Sequence, residues 1–299
     1  MAVYGGIEAG GTKFVCAVGN EKGKITQQVT IPTTTPNETM PQVISFFNEM
    51  NRTAPIDAFG IGSFGPVDPN IDSETYGYIT STPKTAWTQY NLLGAIQREF
   101  NVPIGFDTDV NAACLGEYYW GAGKGLKTFM YITVGTGVGA GIMTEGKLLH
   151  GLMHPEAGHI FVPHDKEKDP FEGVCPFHQD CLEGLASGPA INKRWNVDAS
   201  LDLSDTHPGW DLESDYLAYA LANYIMILSP QRIIMGGGVM KQTHLLGKIR
   251  PKVLAFLNGY IKQNRILFDI ENYIVSPGLG VQSGIYGAIA LATQAATGV

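Results

Sequence analysis

Cysteine is scarce: four in 299 residues, at positions 16, 114, 175 and 181, spread unevenly, which argues against a disulfide framework. Positive charge is scarce too. Twenty Lys and Arg stand against 28 Asp and Glu, a formal net charge of −8, and no basic patch of the kind that reads nucleic acid is visible. The one dense charged stretch, "HDKEKD" at 164–169, mixes signs and reads as a solvated loop. Long apolar runs are missing as well. The uncharged C-terminal stretch "LGVQSGIYGAIALATQAATGV" carries Gly, Ser, Gln and Thr, and reads as a buried helix rather than a membrane span. The opening "MAVYGGIEAGG" has neither the basic nor the apolar part of a signal peptide, so the cytoplasm is the expected compartment.

Glycine, by contrast, is abundant, with 37 residues against a usual share of about 7%. The excess favours tight turns and close backbone approaches and argues against long uninterrupted helices. Two glycine-rich segments echo each other, "YGGIEAGGTKFVCAVGNEKGKI" at 4–25 and "MYITVGTGVGAGIMTEGKLL" at 130–149. Each reads as a strand, a turn of small residues, a second strand and a polar turn, that is, a β-hairpin whose tip lets something approach the backbone. Two copies predict two similar lobes facing one another.

Between and after them strands and helices alternate, which predicts an α/β class. A buried strand lies within 56–68, ending in a Gly-Pro turn. A helix puts Leu92, Leu93, Ile96 and Phe100 on one face, and a short strand from 102 leads into a helix beginning near Asp109. A long helix covers 215–228 and a strand stops in the three glycines of "MGGGVM". A further helix is expected to be interrupted at Pro251, "FDIENYIVS" at 268–276 reads as a strand, and the chain ends in a helix.

Several of these segments carry chemistry. Gly10, Gly11 and Thr12, followed by Lys13, offer open N–H groups and a hydroxyl, the inventory of a phosphate cradle. The order is not that of a Walker loop, because "GGTKF" runs into a strand. Glu8, just before the turn, is placed to hold hydrated Mg²⁺. The second tip supplies Thr133, Gly135, Thr136 and Gly137, and no helix follows to make it a dinucleotide fingerprint. Two opposed hairpins suit a triphosphate, and Gly236, Gly237, Gly238, Val239 and Met240 suit a base or ribose lying on backbone. Asp109 is either a base or merely a helix cap. Cys16 and Cys114 sit in apolar segments and read as core.

Taken in order, "GGIEAGGTKF", "FGPVD", "DTDVNAACLGE", "TVGTGVGAGI", "EAGHI" and "CPFHQDCLEGLASGPAI" resemble the ROK family of bacterial sugar kinases and repressors along nearly the whole chain. The resemblance implies a two-lobed, actin-like (ribonuclease H-like) α/β ATPase fold with ATP and sugar meeting in an inter-lobe cleft. It implies one lobe of residues 1–115 plus about 284–299, and a second of 116–283. It makes Asp109 the general base that takes a proton from a sugar hydroxyl attacking the γ-phosphate; the nearby helix start is expected to keep it ionised. It gives Glu156 and Glu183 to sugar hydroxyls and His159 to both sugar and zinc. Gly65 and Asn111 are weaker sugar-side candidates. The helix opened by "ASGPAI", with Pro189 in its first turn, offers N–H groups to phosphate.

With His159, the residues Cys175, His178 and Cys181 complete a Cys2His2 set, enough for a closed, structural Zn²⁺ site. His150, His154 and His164 remain rival ligands by spacing. Here the chain departs from the commoner family arrangement "CxCGxxGC": His178 replaces a thiolate, as in the fructose-phosphorylating subset. Glu8 stands where the family often has Asp. The expectation is therefore ATP-dependent phosphorylation of D-fructose to fructose 6-phosphate, with glucose, mannose and N-acetylated hexosamines as rival substrates. A homodimer and no nucleic-acid or membrane partner are implied. The rival classes are a sugar-sensing repressor relative, for which no DNA-binding segment precedes the first hairpin, and an actin-like ATPase or chaperone, which would not need the "EAGHI" and cysteine constellation.

Overall fold

In chain order the elements begin with strands β1 (Tyr4–Ala9), β2 (Lys13–Gly19) and β3 (Ile25–Pro32), helix α1 (Pro36–Thr53) and β4 (Ala58–Ser63). The short pair β5 (Tyr78–Ile79) and β6 (Tyr90–Asn91) leads to α2 (Leu92–Gln97), β7 (Ile104–Thr108) and α3 (Asp109–Trp120). Then come β8 (Phe129–Val134), β9 (Val138–Thr144), β10 (Lys147–Leu148), α4 (Leu182–Ala186), α5 (Gly188–Trp195) and α6 (Gly209–Leu228). The chain finishes with β11 (Ile233–Gly236), α7 (Leu245–Leu257), α8 (Asn264–Leu267), α9 (Ile270–Tyr273), β12 (Ile274–Val275) and α10 (Ser283–Thr297). This computed structural model describes residues 2–198 and 202–298.

Two compact units result. The first is Met1–Gly125, Leu148–Pro155 and Gly278–Val299, and the second is Leu126–Lys147 and Glu156–Pro277. A division at residue 115 would fall inside α3.

The sheet of the first unit has the order β3-β2-β1-β4-β7. β1 and β2 form the expected hairpin, and β4 and β7 add in parallel on the other side of β1. All six residues of β4 are buried, as a central parallel strand covered on both faces requires. One face carries Ile7, Phe14, Phe47, Phe59, Ile61, Trp87, Leu92 and Ile96, all fully buried. The Trp87 indole N–H is satisfied by the Thr34 carbonyl at 2.8 Å. The other face is covered by α10, whose small residues let it come close. A Cβ at Gly60 would overlap the backbone of Ala288 on α10, and one at Gly287 would overlap the Ala112 carbonyl on α3.

The sheet of the second unit has the order β10-β9-β8-β11-β12. β8 and β9 form the second hairpin, and β11 and β12 add in parallel. The strand order, read from the outer hairpin strand, is the same in both units, which is the physical content of the sequence echo. α6 buries Trp210, Leu217, Leu221 and Ile225, and Tyr219 of α6 stacks on Phe256 of α7 at 4.1 Å.

Four expectations change. The glycine excess does not shorten helices: α1 has 18 residues and α6 has 20, because the glycines gather at tips, strand ends and close contacts. α7 runs through Pro251; the proline is exposed, and so is Gly247, whose carbonyl it leaves without an intrahelical donor and open to water. Residues 268–276 form a helical turn and only a two-residue strand. "HDKEKD" is solvated only in its middle, since His164 and Asp169 are buried. Cys16 and Cys114 are buried, as expected. Among the described residues no helix is long and apolar enough to cross a membrane.

Candidate functional site

In the first unit the chemistry gathers where β7 gives way to α3. Thr108 is the N-cap, its hydroxyl accepting from Asn111 N at 3.0 Å. The capping role left open for Asp109 is thus filled by its neighbour, and Asp109 is a half-buried first-turn residue whose carboxylate accepts from Val110 N at 2.8 Å. Burial, and after it the charge of Glu8, push Asp109 from the usual carboxylate range up to about 7. The expectation that the helix start would keep it firmly ionised is therefore corrected: desolvation outweighs the helix terminus. Glu8 on β1 is itself pushed to about 7 by burial, against the pull of Lys13. Its carboxylate occupies the space that a side chain at Gly284 would fill.

Asn111 is completely buried and donates to Asp107 at 2.7 Å, so it supports the turn instead of facing solvent. Gly65 is half-buried beside His154, whose ring accepts from Val67 N at 3.4 Å. At the first hairpin tip Gly10 N donates to Lys13 O and Thr33 N to Thr12 O, while Gly11 is half-buried and Thr12 and Lys13 are exposed.

In the second unit three backbone features that lie far apart in sequence meet. Gly188 N, opening α5, donates to Gly135 O at the second hairpin tip at 2.7 Å. A Cβ on Gly135 would lie 3.6 Å from Gly238 N, and Gly237, at φ +96°, has no room for one against Val134. The stretch Thr133 to Gly137, the α5 start with Pro189, and Gly236 to Gly238 therefore share one neighbourhood. Val239 points inward and is buried, whereas Met240 is half-buried.

The second cluster of that unit is His159, Cys175, His178 and Cys181, whose ligand atoms all lie within 4.8 Å of one another. Three of the nitrogen–sulfur separations are 3.6–3.7 Å. A tetrahedral centre with zinc–sulfur of about 2.3 Å and zinc–nitrogen of about 2.0 Å has such edges at roughly 3.5 Å. The donor set and its spacing fit Zn²⁺. Burial pushes the Cys181 thiol up to about 12, a penalty that a bound cation relieves. The rival histidines are engaged elsewhere: His150 on Asp107, His154 on Val67, and His164 between Asp180 and the Asp169 carbonyl.

His159 offers Nδ1 to the sulfurs and turns Nε2 towards Glu183 at 3.9 Å. The other Glu183 oxygen accepts from Val138 N at 3.0 Å, just past the hairpin tip. Gly158 packs against the Val138 carbonyl with no space for a side chain, and Tyr224 donates to Ala157 O, which together shape the turn from Glu156 to His159. Glu156 is exposed at its head.

Sequence reasoning missed Asp107 and Thr108, and weighed His150 only as a rival metal ligand. The "DTD" at 107–109 was a usable signal, since two acidic residues flank a capping residue, but nothing local announces His150. The family model described as the ROK family matches residues 4–295. A putative fructokinase of Bacillus subtilis is 51% identical over 98% of this chain and 96% of its own length. A fructokinase of Pediococcus pentosaceus is 45% identical over 98% of each. The structure of a ROK family glucokinase from Streptomyces griseus, in complex with glucose and AMPPNP, superposes with a TM-score of 0.74 at 23% identity, covering 98% of this chain and all of that one. The actin-like α/β fold expected from the sequence is the fold the structure has. With the match spanning both units, the chain belongs to the ROK family.

Proposed function

We propose that the protein is an ATP-dependent sugar kinase that converts D-fructose to fructose 6-phosphate. The observation that carries the reaction is Asp109, a half-buried carboxylate freed from capping and brought near neutrality, the condition for a general base at physiological pH. Fructose as the sugar is supported by the two fructokinase relatives at 51% and 45% identity.

Asp109 takes the proton of the sugar's primary hydroxyl as that oxygen attacks the γ-phosphorus of ATP, and ADP leaves. Glu156, His159 and Glu183 orient the sugar hydroxyls, with His159 presenting Nε2 while Nδ1 is committed to zinc. The two hairpin tips, at Gly11 and Thr12 and at Thr136 and Gly137, receive phosphate oxygens, and Gly236 to Met240 receive the nucleoside. The α5 start offers no open amide, because Gly188 N is spent on Gly135 O, Ala190 N on the Ser187 hydroxyl, and Pro189 has no N–H. Glu8 holds hydrated Mg²⁺, which supplies charge neutralisation when bound. The zinc set closes a loop and leaves no position for an activated water, so its role is structural. The protein works in the cytoplasm and as a homodimer in this reading.

A coupled assay of ADP release with fructose, glucose, mannose and N-acetylmannosamine tests it. Fructose is expected to give the highest kcat/KM. Equal or faster turnover of another sugar overturns the substrate, and no sugar-dependent ADP release overturns the kinase.

A further inference from the structure

Asp107 lies two residues ahead of Asp109 and has no part in the chemistry assigned above. Its side chain is only 5% exposed, yet three donors converge on it. One oxygen accepts from Thr108 N and from the Asn111 side-chain amide, each at 2.7 Å. The other accepts from His150 Nε2 at 2.9 Å. The His150 ring also makes a backbone hydrogen bond to Leu148, and the Asp107 bond raises its pKa above the ordinary histidine value. The same Nε2 lies 3.3 Å from the Asn111 side-chain nitrogen, so the ring closes a three-way contact with Asp107 and Asn111.

The β7–α3 turn is thus anchored locally by the Thr108 cap and by Asp107. His150 reaches it from a segment 39 residues further along the chain. Asn111 has no slack to compensate: it is fully buried, its amide nitrogen faces both Asp107 and His150, and its Oδ1 has no partner. Removing His150 leaves a buried carboxylate oxygen unpaired, and the turn relaxes to rehydrate it.

We propose that the Asp107–His150 pair is a positioning device for the base: through Thr108 N and Asn111 it fixes the turn, and so sets the direction of the Asp109 carboxylate. The inference rests on the sugar-kinase reading. It makes His150 a positioning residue acting through Asp107, not a group that touches the sugar.

Steady-state kinetics of wild type, His150→Ala, His150→Gln, Asp107→Asn and the His150→Ala/Asp107→Asn double variant test it. His150→Ala is expected to lower kcat about 10- to 100-fold, the scale of a misplaced reacting group, with KM for ATP within about twofold. His150→Gln, which still donates to Asp107, restores most of the turnover. Free imidazole, reaching a position that is 37% exposed, restores His150→Ala but not Asp107→Asn. The double variant loses less than the product of the single losses. Wild-type kcat in His150→Ala, or a loss that neither Gln nor imidazole restores, overturns the inference alone. A wild type without sugar-dependent ADP release overturns it together with the kinase reading.

Discussion

Burial costs a carboxylate its charge unless something compensates, and Asp109 and Glu213 meet that cost differently. For Asp109 the raised value, about 7, is useful. In the proposed reaction the unprotonated form is the base, so kcat/KM for the sugar is expected to rise with pH through about 7. Removing the Glu8 charge with Glu8→Gln moves that limb to lower pH. Asp109→Asn is expected to lower turnover by about 10²- to 10⁴-fold, the usual contribution of a general base, while calorimetry still detects sugar binding. A flat pH profile would remove the assignment. Glu213 on α6 is 1% exposed and neither oxygen has a hydrogen-bond partner. Burial raises its pKa well above the usual range, against the pull of Arg194. Its folded value exceeds its unfolded value, so stability is lost as pH climbs above about 4.3. Glu213→Gln therefore unfolds at higher temperature than wild type at pH 7.5, and the difference closes below about pH 4; equal midpoints at pH 7.5 would refute this. Asp109 was visible in sequence because its motif is local. Its pKa was not, since that depends first on burial and then on Glu8, about a hundred positions away.

Elements are held in place by a few buried polar groups that span turns. Glu117 of α3 is fully buried and accepts from Ala122 N, Gly278 N, Leu279 N and the Ser283 hydroxyl at 2.6–3.0 Å. It joins the end of α3 to the start of α10 inside the first unit. Glu117→Ala strands several buried donors at about 1–3 kcal/mol each, so urea unfolding should show a loss of at least about 3 kcal/mol. The loop that carries the candidate zinc ligands is built on the same principle. His164 bonds Asp180 beside Cys181, and Asp169 pairs with Arg194 and accepts from Tyr216 at 2.7 Å. Elemental analysis should find about one zinc per chain, and chelation should lower the unfolding temperature, as His178→Ala should. An active, metal-free preparation with an unchanged midpoint would refute the site. Hairpins, the 92–97 helix and the terminal helix were legible from periodicity and glycine placement. The path of α7 through Pro251 was not, because whether a proline breaks a helix depends on which side faces water.

For the whole chain, a ligand that binds the folded state stabilises it by mass action, by about 2.7 kcal/mol at 100 times its dissociation constant. Fructose should raise the thermal midpoint, a non-hydrolysable ATP analogue should raise it further, and a sugar that is not a substrate should not. A midpoint indifferent to fructose at millimolar concentration would count against the substrate. The sequence by itself determined the α/β class, the repeated hairpin plan and the family, and it named the candidate metal ligands. These are written in short runs of residues whose spacing dictates backbone geometry or donor type. Tertiary structure alone decided that Thr108 and not Asp109 caps α3, that His150, His154 and His164 are engaged away from the Cys/His cluster, and that burial pushes the Asp109 carboxyl up to about 7. Each of these depends on which distant side chains are brought together and how much water is excluded around them, and neither quantity is a property of local sequence.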